Sequence, residues 1–97
     1  VTILPSVRID LPPWVDEMIQ WDRRIPGDQD KMKLAIMLSR ENVARGTGGP
    51  FGAAVFETGT GKLVGVGMNS VVRLNNCVLH GEMVAFMIAQ QRLGSFT

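Results

Sequence analysis

An α/β domain is what the sequence predicts, and three observations predict it. Residues 28 to 45 place apolar side chains at helical spacing between an acidic start and Gly46. Residues 51 to 68 hold two short apolar runs parted by Thr58-Gly-Thr-Gly61, the pattern of a hairpin. Residues 79 to 93 form a second helical stretch that stops at Gly94.

Ahead of these elements, residues 1 to 27 carry Pro5, Pro12, Pro13 and Pro26 without a long periodic pattern, and read as an arm. Asp10-Leu-Pro-Pro-Trp14 predicts one short helix, with Asp10 or a neighbour as cap and proline in its first turn. Its inner side would carry Val15, Met18, Ile19 and Trp21. Two tryptophans in such an arm call for an apolar surface, and packing on the domain itself is the expectation ahead of a ligand or partner role. The remainder, 28 to 97, is expected to be the domain proper.

The first long helix takes Asp28 or Asp30 as its cap, and Arg40 and Arg45 stand near its end, where cations favour the helix dipole. Met32, Ile36 and Val43 make one stripe and Leu34 and Leu38 another, so it is expected to lie against a sheet and touch a neighbour. Gly46-Thr-Gly-Gly-Pro50 is a turn cluster before the strand Phe51 to Glu57. It is no phosphate loop, because it precedes a strand and lacks the Gly-Lys-Ser/Thr ending. Lys62 to Met68 is the partner strand, with Leu63, Val64 and Val66 at buried positions, antiparallel because the connection is so short. Residues 69 to 78 read as a loop. Met83 to Ala89 shows no polar face, which predicts a helix buried all round.

A net charge of +1 leaves no basic footprint for nucleic acid, and a seven-residue apolar run cannot span a bilayer. The single cysteine forms no internal disulfide and no signal-peptide pattern opens the chain, so the cytoplasm is the expected compartment.

Chemistry concentrates between Asn69 and Glu82, which holds the only histidine and the only cysteine. A neutral imidazole at His80 is a good zinc ligand, and the Glu82 carboxylate two residues on is placed to move protons. Each has a plainer role open to it. His80 could cap or pack, Glu82 could favour the dipole of the first turn, and Asn69 could be a turn residue after a strand. Cys77 is read as a small buried or loop thiol.

Gly-Gly-Pro-Phe-Gly-Ala-Ala-Val-Phe at 48 to 56, Gly-Met-Asn at 67 to 69 and His80-Gly81-Glu82 together resemble the cytidine deaminase-like superfamily of zinc-dependent deaminases. Within it, the Gly-Gly-Pro-Phe-Gly-Ala run is most similar to the bacterial guanine deaminase branch. The resemblance runs over roughly residues 30 to 94. It departs from the family in having Gly81 where alanine is usual, and in stopping before the Pro-Cys-x-x-Cys half of the zinc motif.

The resemblance implies a three-layer α/β/α fold, of which helix, β-hairpin and helix form the N-terminal part. It implies zinc held by His80, at the buried start of the last helix, with two cysteine thiolates from outside these residues. A zinc-bound hydroxide would attack the ring, Glu82 would shuttle the proton, and ammonia would leave. Asn69 would contact the base, Phe51 would line the pocket, and the Gly81 backbone N–H would donate to the substrate carbonyl. Guanine is the first substrate expected. Cytosine, a nucleoside and a tRNA adenosine are alternatives, the last disfavoured by the charge. The rival from another class is a truncated, inactive assembly or binding domain. Either way, a homodimer or pairing with the missing half is expected, since half a fold leaves a sheet edge and an apolar helix uncovered.

Overall fold

A computed structural model describes residues 3–97. Helix α1 spans Trp14–Met18, α2 Asp28–Ala44, strand β1 Gly52–Phe56, β2 Leu63–Met68, α3 Val71–Leu74 and α4 Gly81–Leu93.

The hairpin comes first in the logic of the fold, because both long helices are shaped by it. β1 and β2 pair antiparallel, Gly52 opposite Met68 and Ala54 opposite Val66, with a bulge between Val55 and Phe56. Side chains alternate between faces along a strand. On one face lies α2: a Cβ at Gly52 would come 2.6 Å from the Ala35 carbonyl oxygen and 2.8 Å from the Ser39 nitrogen. On the other lies α4: a Cβ at Gly65 would come 2.7 Å from both the Ala85 carbonyl oxygen and the Ala89 Cβ. A helix, a sheet and a helix are therefore stacked as three layers, as expected. Leu63, Val64 and Val66 are buried, also as expected.

The arm is less separate than its prolines suggest. Trp14, Val15 and Ile19 share one cluster with Leu38, Leu63, Val66 and Met68, so the tryptophan of α1 does pack on the domain itself. The chain then runs along the β2 side of the hairpin, where Leu63 N donates to Arg23 O at 2.9 Å and Ile25 N to Gly61 O at 3.0 Å. Asp10 does not cap α1. Pro13 is the N-cap, and Asp10 pairs with Arg73 at 3.3 Å and Arg8 at 3.4 Å. Two consecutive prolines account for this, because the residue before a proline is kept out of the helical region.

Three further expectations are corrected. The connection after β2 is not all loop: Val71–Leu74 makes one helical turn, closed by Asn75 in the left-handed region at φ 52°. A single turn beginning with two β-branched residues has too little periodicity to be read. Helix α4 starts at Gly81, two residues later than expected, and is not buried all round. Val84, Ala85 and Ala89 face the sheet, whereas Met83, Phe86 and Leu93 are about half exposed. Likewise α2 buries Leu38 but leaves Met32, Ile36 and Val43 exposed. Each helix meets the sheet on one side, and among the described residues nothing covers the other.

Candidate active site

The residues singled out by the sequence sit where β1 begins, β2 ends and α4 begins. Asn69 N donates to Phe51 O at 3.0 Å, which joins the two strand ends. Gly81 packs against the same carbonyl: a Cβ there would lie 3.3 Å from Phe51 O and 3.6 Å from the Met68 Cα. An alanine at 81 would therefore need a few tenths of an ångström of give. That close approach offers a reason for glycine in spite of its cost of up to about 1 kcal/mol in a helix. Ser70 N donates to Leu79 O at 2.9 Å, so the excursion from 70 to 79 closes on itself. Asn69 and His80 are the residues flanking that bond, and closure brings them near each other across ten residues of sequence.

His80 is the N-cap of α4, in extended conformation at φ −66° and ψ 156°, and its side chain makes no capping bond. The expected burial of this residue is not found: His80 and Glu82 are both exposed, and only the intervening Gly81 is buried. Gly81 packs against the strand ends, and because successive residues project in different directions around a helix start, its neighbours on either side point away from the sheet. A groove of about 300 Å³ between α2 and the start of α4 is lined by Phe51, Gly81 and Glu82, with Met32, Ile36 and Ser39 opposite. Asn69 and His80 lie beside that groove rather than in its lining. The Asn69 side chain does serve a turn, its Oδ1 accepting from Val71 N at 3.3 Å. Cys77 is an exposed loop thiol.

Among the described residues, no three His, Cys, Asp or Glu side chains come together as a metal site. His80 fits zinc as one ligand, being an exposed imidazole uncommitted to capping beside an exposed carboxylate. It does not fit as the whole site, which needs three or four.

The sequence reading missed Asn42. This α2 residue is fully buried, and it spends its whole amide on the site: Nδ2 donates to Gly49 O at 2.9 Å and to Asn69 O at 3.0 Å. Its Oδ1 accepts from Thr47 Oγ1 at 2.7 Å, and that hydroxyl accepts from Trp14 Nε1 at 3.0 Å. A Cβ on Gly48 would overlap Asn69 O and reach 2.6 Å from Asn42 Nδ2, so the glycine leaves room for this junction. The signal was available, because Asn42 falls one turn after Leu38 on the inner stripe of α2.

A three-layer stack with an imidazole and a carboxylate opening a helix against a Pro-Phe-Gly strand is the arrangement that the resemblance to the cytidine deaminase-like class implies. No protein-family model matches the chain. The guanine deaminase of Bacillus subtilis (strain 168) is 35% identical over 65 residues, covering 67% of this chain and 40% of the relative. The solved guanine deaminase from Nitrosomonas europaea superposes with a TM-score of 0.85 at 32% identity, over 98% of this chain and 51% of that one. NE0047 in complex with 2,6-diaminopurine gives a TM-score of 0.84 at 34% identity, over 93% and 47%. The chain is similar to the guanine deaminases, shares the N-terminal part of their cytidine deaminase-like fold, and spans about half the length of the relatives it matches.

Proposed function

We propose that this chain forms part of a zinc-dependent hydrolase that deaminates a free nucleobase, guanine before others, with release of ammonia. The observation that carries the reading is the convergence of Phe51, Asn69 and the His80-Gly81-Glu82 turn on one end of the sheet, in a chain related to guanine deaminases. Solved relatives bind purine analogues, 2,6-diaminopurine and 8-azaguanine. Cytosine and nucleosides remain the alternative substrates, and a tRNA adenosine is disfavoured by the +1 charge.

In this proposal His80 supplies one zinc ligand and residues outside the described ones supply the rest. Zinc when bound acts as a Lewis acid that lowers the pKa of water toward about 7. Glu82, exposed and two residues on, would take one proton from the attacking water and pass it to the ring nitrogen. It would then take the second from the new hydroxyl as the carbon–nitrogen bond breaks and pass it to the amine, which leaves as ammonia. Asn69 keeps an amide group free to donate to the base edge, because only its Oδ1 is used by the turn. Phe51, 61% exposed, offers a flat apolar face to the ring. The Gly81 N–H, in a first turn that lacks intrahelical acceptors, donates to the substrate carbonyl.

The test is made on the intact protein. Zinc bound per chain and ammonia released from guanine are measured for wild type and His80→Ala, and both are expected to fall to background in the variant. Unchanged zinc content in His80→Ala would remove the metal assignment, and no ammonia from wild type with any free nucleobase would remove the activity.

The partner part of the proposal is a homodimer, or pairing with a further segment of the same protein. It rests on the outer edge of β1, which has no strand beside it among the described residues, and on the exposed Met32, Ile36, Phe51, Met83 and Phe86 around it. The 97 residues alone are expected to be inactive and to associate, read as a mass above monomer in light scattering; a stable monomer would count against it. No helix is long and apolar enough to cross a membrane, and a cytoplasmic location is proposed on the lone cysteine.

A further inference from the structure

We infer that Asn42 is a positioning residue for base recognition, oriented from α1 by Trp14 through the Thr47 hydroxyl; the inference rests on the deaminase reading above. The direction of the chain of hydrogen bonds is set at its far end. An indole N–H can only donate, so Thr47 Oγ1 accepts from Trp14 Nε1 and keeps its own proton for Asn42, whose Oδ1 at 2.7 Å is nearer than its backbone oxygen at 3.3 Å. That fixes which way the Asn42 amide faces. Its two N–H groups then point at two carbonyl oxygens, Gly49 O at 2.9 Å and Asn69 O at 3.0 Å.

Those carbonyls belong to the two walls that would receive a base. Gly49 O also accepts from Phe51 N at 2.8 Å, so it shapes the turn that presents the Phe51 ring. Asn69 O lies on the residue proposed to read the ring's edge, and Asn69 N is held by Phe51 O. One buried amide therefore ties both walls to α2, and with no exposed surface of its own it acts through them. Reversing that amide would set its oxygen against two carbonyl oxygens. The N-terminal segment thus has a part in substrate fit although no residue of it reaches the groove.

Thr47→Val, which keeps shape and removes the hydroxyl, is compared with Thr47→Ser, which restores it, and with Trp14→Phe, which removes only the indole donor. In the intact protein the readouts are KM and kcat for guanine, affinity for 8-azaguanine by calorimetry, zinc content, and the side-chain amide resonance of Asn69 without ligand. Thr47→Val is expected to raise KM and weaken 8-azaguanine about tenfold, the size of one well-placed hydrogen bond. Zinc content should stay unchanged and the Asn69 amide resonance should move. Trp14→Phe should follow in the same direction by a smaller factor, and Thr47→Ser should return to within about twofold of wild type. If Thr47→Val lowers thermal stability but leaves KM, 8-azaguanine affinity and the Asn69 resonance as in wild type, Asn42 is a structural residue only and the inference falls. If the wild type neither binds 8-azaguanine nor turns over guanine, the deaminase reading fails instead. The Asn69 resonance then decides the positioning alone, a shift in Thr47→Val upholding it and none overturning it.

Discussion

Gly67→Ala is expected to destabilise the fold by about 3 kcal/mol or more, at the upper end of overpacking. A Cβ at Gly67 would overlap Gly81 O and Ala85 N and come 2.9 Å from the Ala85 Cα. All three are backbone atoms of α4, so no side chain can turn aside and the helix itself must lift from β2. Lifting it would uncover Val84, Ala85 and Ala89, which are buried against the sheet. For a domain of this size the fall in melting temperature would be roughly 12 °C or more. Gly59→Ala is the control: a Cβ there meets nothing within 4 Å, so its change should stay within about 0.5 kcal/mol. A Gly67→Ala protein that melts with wild type would mean that α4 does not rest on β2 through these glycines.

The second large effect is on chemistry. Glu82→Gln is expected to lower the rate of ammonia release from guanine by about a hundredfold to ten-thousandfold, the range of a lost general acid–base group. Glu82 is exposed in the first turn of α4 and makes no ion pair among the described residues, so the amide should leave the fold intact. Zinc content and KM should both stay near wild type, which separates this variant from His80→Ala. Activity within a few fold of wild type would leave Glu82 as a residue that merely favours the helix dipole.

Much of the fold was legible because its signals are local. The acidic start of α2, the turn ending at Gly61 and the stop at Gly94 depend on nearest neighbours, and the glycines do take positive φ, 71° and 66°. The candidate residues were legible for a different reason, since a lone histidine two residues before a glutamate is rare enough to notice and the Pro-Phe-Gly run gives it a context. Burial was not legible. Phe86 and Ala89 look alike to a pattern reading, yet one is 51% and the other 4% exposed, and only the position of the sheet separates them. His80 illustrates the same limit, since its type marks it as a ligand but not as an exposed N-cap.

By itself, then, the chain's order of residues settles the succession of helix, hairpin and helix through short-range propensity, and its motifs make His80 and Glu82 candidates, with Asn69 and Phe51 added by the family resemblance those motifs carry. Contacts between residues far apart in sequence decide the rest. Trp14 reaches Thr47, Asn42 reaches Asn69, and Gly67 meets Ala85, through hydrogen bonds and packing that exist only once α1, α2 and α4 are laid on the two strands. No window of neighbouring residues contains those pairs, which is why the buried amide at position 42 and the glycine bed under α4 come to light only in three dimensions.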